Sequence, residues 1–259
     1  MAFSSVSRNE LTLTDRHAVV ASGPPLSFTP RFTPLGGIVS VSPHTDQRTH
    51  EELLSKTFGS VDWLSSANDE YRFGKSDREL KGFTLYVPER ALAVSGAPVS
   101  WLEAPPIPGN LRSLASKNFD APPTEFRWVS PDGDVLLCTF REATDAHQEL
   151  LRLRVAPDFD LVFTDGEYAG WLLAHPAAHL AGPGKPPPEH DPPTGLVQAL
   201  RAFFDLFVEP GIDRMQGGDP ALLGELNALL TRLAALPEDP RVAILRNRVT
   251  EFREDWYDD

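Results

Sequence analysis

Polar and apolar residues alternate along much of the first 180 positions. After position 194 the apolar spacing lengthens to that of an amphipathic helix. Residues 11–20 (LTLTDRHAVV) alternate and predict a first strand. Residues 26–34 repeat Phe-Thr-Pro twice. Proline at that density predicts an extended edge or loop rather than a ladder-forming strand. Gly36-Gly37 then turns into a short strand at Ile38–Val41. Thr49 followed by Glu52 reads as a capping box and predicts a helix to about Phe58, with Leu53, Leu54 and Phe58 on one face.

Hairpins follow. Tyr71–Phe73 and Phe83–Val87 form the arms of one, with Gly74–Glu79 as the turn region. Residues 104–125 are rich in proline and asparagine and read as a long surface loop. Phe126–Val129 and Val135–Phe140 flank Pro131-Asp132-Gly133. Gln148–Val155 is a further strand, and Phe159–Thr164 and Glu167–Leu173 flank Asp165-Gly166. Asp-Gly tolerates the positive φ that tight hairpins need, so these are strong turn signals.

The pattern breaks at 181–194, AGPGKPPPEHDPPT, with six prolines. Proline lacks an N–H and fixes φ, so this stretch predicts a stiff polyproline-like connector. Beyond it, Thr194 is expected to cap a helix carrying Leu196, Leu200, Phe203, Phe204 and Phe207, which ends at Pro210-Gly211. Asp219-Pro220 and Asp239-Pro240 each place an N-cap before proline at the first helical position. The last helix presents Leu245, Val249, Phe252 and Trp256 on one stripe. The expected fold class is therefore α+β: a mainly antiparallel β-sheet body at 1–180, a Pro-rich linker at 181–194 and a three-helix C-terminal segment at 195–259.

Composition narrows the function classes. The chain has 259 residues, with 37 acidic and 24 basic side chains, a net charge of −13. A negative surface repels phosphate backbones, so direct nucleic-acid binding is disfavoured and a basic protein partner is favoured. No long apolar run predicts a membrane span, and the N-terminal residues lack the apolar core of a signal peptide. The single cysteine, Cys138, permits no internal disulfide, which suits a reducing cytoplasm. Arginine outnumbers lysine 19 to 5, a bias of GC-rich bacterial genomes. Cys138 lies in an apolar strand and reads as a buried, inert thiol.

Candidate chemistry is sparse. His175 and His179 share a face if they lie on a helix, with His190 or Asp191 as a third metal ligand, but the HExxH pattern is absent. His44, Asp46 and His50 form a second cluster, beside Glu51 and Glu52, in which Asp46 also reads as a turn residue. There is no nucleophile elbow, phosphate loop or dinucleotide fingerprint, and the pairs Asp132/Asp134 and Asp158/Asp160 flank turns. Tyr168 and Trp171, separated by Ala-Gly, are either core or an aromatic anchor for a partner. Glu254, Asp255, Tyr257, Asp258 and Asp259 surround Trp256 and offer an acidic docking patch, while Trp256 itself is expected to complete the apolar stripe.

Three expectations follow. The first is a non-enzymatic acidic binding protein of the bacterial immunity or antitoxin type, which occludes a basic partner and needs no cofactor. The second is a metal-assisted, hydrolase-like enzyme using the scattered His and Asp residues. The third is a structural subunit that docks through its helical tail. Oligomeric state is not legible.

Overall fold

The computed structural model describes residues 10–14, 17–60, 68–92, 99–141 and 149–257. Elements, counts and partners below refer to these residues. The expected strand at 11–20 is a hairpin of β1 (Glu10–Thr14) and β2 (His17–Ser22). Five short elements follow: β3 (Arg31–Thr33), β4 (Ile38–Val41), α1 (Gln47–Lys56), β5 (Thr57–Gly59) and β6 (Glu70–Gly74). Next come β7 (Leu80–Tyr86), β8 (Arg90–Ala91), α2 (Val99–Glu103), β9 (Ile107–Pro108) and β10 (Asn110–Ser113). The remaining strands are β11 (Phe126–Val129), β12 (Val135–Thr139), β13 (Leu150–Ala156), β14 (Phe159–Thr164) and β15 (Glu167–Ala174). The chain ends in α3 (Leu196–Leu206), α4 (Glu209–Gln216), α5 (Pro220–Ala234) and α6 (Pro240–Tyr257).

The mixed class holds, with antiparallel-rich sheets first and helices last. Strands β3-β4-β7-β6-β5 make a five-stranded antiparallel sheet. Ten others form a larger sheet, in which β1·β15, β8·β11 and β9·β13 are the parallel pairs. The two sheets face each other across one apolar core. Phe83 of the small sheet meets Phe159 of the large one at 4.8 Å between ring centres, and Phe159 stacks on Trp171 at 5.3 Å. A second cluster, Leu92, Trp101, Leu137, Val162 and Leu172, covers the opposite face of the large sheet.

One residue of β15 is extra to its ladder. Val162 pairs with Gly170 and Phe163 with Tyr168, leaving Ala169 as a bulge. The bulge lets Tyr168 and Trp171 both join the inter-sheet core while Ala169 and Leu172 face the second cluster. Gly170 sits at φ +156, where a Cβ would lie 2.1 Å from the Cys138 carbonyl oxygen. Only glycine permits that approach.

Several local expectations need correction. Arg31–Thr33 does form a ladder with Ile38–Ser40, since its prolines fall outside it, and Leu180 bridges its outer edge at Phe32. The cap of α1 is Asp46, with Thr49 at the third position rather than at the cap. Asp46 accepts from the Thr49 N–H at 2.8 Å, and the Thr49 hydroxyl takes the reciprocal place expected of a glutamate. Phe58 leaves the helix for β5. The predicted loop at 104–125 contains β10, which pairs with β2. Gly195, at φ +97, replaces Thr194 as the cap of α3. Pro210 and Gly211 lie inside α4 instead of ending a helix, because proline fits a first helical turn.

The helices pack against the sheets. Phe204 stacks on Phe32 at 5.6 Å between ring centres. Buried Arg127 of β11 donates to the carbonyls of Phe204 (2.7 Å) and Pro88 (3.0 Å), capping the end of α3, and burial lowers its pKa to about 10. The Pro-rich segment is fastened at both ends. Gly184 lies against the Thr45 carbonyl, where a Cβ would come within 2.0 Å. At the other end Arg241, fully buried, donates to the carbonyls of His190 (2.9 Å) and Asp191 (3.0 Å) and pairs with Asp239 at 2.8 Å.

Between the sheets lies a polar pocket of side chains. Asp69, wholly buried, accepts the Tyr86 N–H on one oxygen at 2.8 Å. Its other oxygen is buried without a hydrogen-bond partner among the described residues, and the buried hydroxyls of Tyr71 and Tyr168 lie close to each other. Burial drives the Asp69 carboxyl well above the ordinary carboxylate range, a shift only partly opposed by the Tyr86 N–H.

Candidate functional site

Strand alternation sends Val39, Val41, Phe83, Leu85 and Tyr71 into the core, so their neighbours face outward and floor a cleft. The register lines those neighbours into rows. Arg31 pairs with Ser40, Ser40 with Thr84 and Thr84 with Glu70, giving one polar row across four strands. Thr33, Ile38 and Tyr86 make a second, less polar row beside it. Residues 44–47 and His50 form one wall, and Pro183 with Gly184 continue it beside Thr45. The cleft encloses about 540 Å³, within the range of small-ligand sites.

Four charged or ionisable groups connect along the wall. Arg31, 7% exposed, donates to the His44 carbonyl at 2.6 Å and to the Ser42 carbonyl at 3.4 Å. Among the described residues no carboxylate lies within ion-pair distance of it, and burial lowers its pKa. The His44 ring contacts the Ser42 hydroxyl through Nδ1 and lies 4.5 Å from the His50 ring. Burial, then the neighbouring His50 and Arg31, lower the His44 pKa to about 4 against the opposing pull of Asp46. His44 is therefore a neutral imidazole at neutral pH. His50 Nε2 sits 3.1 and 3.2 Å from the two Glu70 carboxylate oxygens.

The sequence cluster His44, Asp46 and His50 thus lines one cleft, but not as a metal site. Asp46 uses its carboxylate on the N–H and hydroxyl of Thr49, and those bonds hold its pKa below the usual range. His50 is turned to Glu70. Among the described residues no group of three or more His, Cys, Asp or Glu side chains is arranged to hold a metal ion. Sequence reasoning misses Arg31 and Glu70. Arg31 lies in a proline-flanked stretch that reads as loop, and Glu70 opens a strand of ordinary composition. The one available signal is their position on the polar side of the alternation.

The other expected sites move. His175 and His179 do not share a helix face: Pro176 leads into a tight turn, and His175 itself sits at φ +50. His175 is exposed, 3.9 Å from Asp134, while His179 is buried with Nε2 3.3 Å from Asp158. His190 reaches Asp239 at 2.8 Å, on the Arg241 fastening. Trp171 is fully buried, so it cannot serve as a surface anchor. Tyr168 packs edge-on to Tyr71 and Phe140. At the C-terminus the two aromatics exchange their expected roles. Tyr257 tucks in and donates to the Asp219 carbonyl at 2.9 Å, whereas Trp256 is 42% exposed. Position 256 keeps the helical phase of Leu245, Val249 and Phe252, so its exposure belongs to the last turn of α6 and not to a different face. Glu254 and Asp255 are exposed, and Asp258 and Asp259 lie outside the described residues. Asp160, a turn residue by sequence, is buried and holds Arg152 at 2.6 Å and Arg154 at 2.7 Å.

No protein-family model, curated protein or solved structure matches this chain.

Proposed function

We propose that this chain is a binding protein that takes a polar ligand into the cleft over the five-stranded sheet. The observation that carries this reading is convergence: Arg31, His44, His50 and Glu70, from three separate parts of the chain, line one concave site. The ring spectra of the histidines test it. With ¹³C-labelled histidine, a chemically mixed set of small polar compounds is added at about 1 mM, a concentration chosen for weak ligands. Some compounds are expected to shift the His44 and His50 ring signals while leaving those of His175 and His190 in place. If no compound moves the cleft histidines selectively, the reading fails.

A second reading rests on charge. The chain carries −13, and at the end of α6 the exposed Trp256 follows the exposed Glu254 and Asp255. Exposed tryptophan beside acids suits a basic protein surface, as an immunity or antitoxin-type protein would require. The expected result is a single basic partner captured at low salt, weakened at moderate salt and lost with Trp256→Ala. Capture insensitive to both salt and the substitution refutes it.

A further inference from the structure

The cleft floor is charged at its two ends and uncharged in between. Arg31 stands on the edge strand β3 and Glu70 on β6, with the hydroxyls of Ser40 and Thr84 between them in register. Three strand spacings separate β3 from β6, roughly 14 Å. The ends are chemically distinct. Arg31 has a buried guanidinium whose two bonds go to carbonyls and whose charge no carboxylate neutralises within 4 Å among the described residues. Such a charge is costly to bury alone and is best met by a carboxylate. At the other end Glu70 has, among the described residues, only an imidazole as its ion-pair partner. On the wall His44 is held neutral, and Asp46 is turned to its helix cap. A purely anionic ligand would enter a cleft with two carboxylates and one guanidinium, in a chain of −13, so anionic charge alone is not what the site selects.

Resting on the cleft reading above, we infer that the site takes a zwitterionic ligand in extended form, its carboxylate at Arg31 and its ammonium at Glu70. The chemical class is a short peptide with both ends free. Both charged groups lean towards the histidines between them, so at about 3.3 Å per extended residue the strand separation sets an upper limit of three to four residues, and the hydroxyls of Ser40 and Thr84 are placed to meet its backbone groups. A single amino acid is too short to reach both ends. The outer edge of β3 is already used, since Phe32 bonds to His179 and Ala181. The peptide therefore lies across the strands rather than adding to the sheet as another one.

The test uses the full chain and four probes: tetra-alanine, its N-acetyl form, its C-terminal amide and free alanine. Affinities are read from the His44 and His50 ring shifts. Tetra-alanine is expected to bind, and either blocked form to bind at least about tenfold more weakly, the loss typical of one charge-assisted contact. Free alanine is expected not to saturate. Glu70→Gln, which keeps a hydrogen-bonding partner for His50, should abolish the penalty for acetylation while leaving that for amidation. Equal binding of free and blocked peptides overturns the inference and leaves the cleft reading standing. So does a mixed-set compound that shifts the histidines when no peptide does. If neither peptides nor the mixed set act, both readings fall.

Discussion

Replacing Asp69 by asparagine removes a carboxyl group that the fold keeps from ionising. Asp69 is wholly buried, one oxygen holds the Tyr86 N–H, and the other has no hydrogen-bond partner among the described residues. Burial therefore raises its pKa in the folded chain, whereas in the unfolded chain it titrates near the ordinary value of about 3.9. With the folded value the higher, stability from this group is fully present below about pH 4 and is lost as pH rises towards the folded pKa. The loss runs at about 1.4 kcal/mol per pH unit for one proton. The Asp69→Asn side chain cannot ionise, keeps an oxygen for Tyr86 and offers an N–H where Oδ2 now stands unpartnered. The variant should therefore gain on the parent chain as pH rises above 4, at up to about 1.4 kcal/mol per pH unit, until the folded carboxyl itself ionises. The assay is urea unfolding of both chains at pH 4, 5, 6 and 7, followed by tryptophan fluorescence. Taking the difference at each pH cancels every other titrating group. Parallel stability curves, with no widening gap, would show that Asp69 is charged in the folded protein and would refute the reasoning.

Three further outcomes are expected. Gly170→Ala should cost about 2–4 kcal/mol, because the new Cβ meets the Cys138 carbonyl at 2.1 Å at a φ that L-residues avoid; thermal unfolding checks it, and a neutral result would mean that β12 and β15 can part without penalty. Arg241→Met should cost about 3–5 kcal/mol, because it strands buried Asp239 and frees the carbonyls of His190 and Asp191. Limited proteolysis should then cut within 185–194 faster than in the parent chain. His17, fully buried against Phe119, has its pKa lowered to about 4 by burial and then by Lys117. Its folded pKa lies below the unfolded 6.5, so its stability contribution is complete above pH 6.5 and falls away towards pH 4, by about 3 kcal/mol in all. His17→Gln should flatten that acid limb in denaturant titrations, and an unchanged limb would count against a neutral His17.

The parts of the fold that showed in the sequence are those set by local chemistry. Asp165-Gly166 makes its turn with both residues at positive φ. Asp219 caps α5 through the Ala221 N–H with Pro220 behind it, a start signal complete within three residues. Alternation at 126–173 carried enough pattern to place five strands. What did not show depends on partners far along the chain. The strand at Asn110–Ser113 is stabilised by β2, some ninety residues earlier, and it opens on asparagine after Pro108-Gly109. Half of the cleft was visible as histidines near a helix start. The other half was not, because Arg31 is a buried cation in a stretch that reads as loop, and Glu70 matters only through the register that puts it opposite Thr84. Trp171 stood open between core and anchor in the sequence, and the structure places it in the core beside a bulge at Ala169.

That bulge also governs where this strand tolerates a change in length. Side-chain alternation works like a two-letter reading frame, and β15 uses both frames, switching at Ala169. Deleting Leu172 would send every later side chain to the wrong face. Deleting Ala169 would merge the two frames into one regular strand and still leave Tyr168 and Trp171 pointing where they do now. In this strand the irregular residue is thus a site at which a deletion keeps the side chains on both sides facing as they do now, at the cost of the bonds its carbonyl accepts from Thr139 and Phe140.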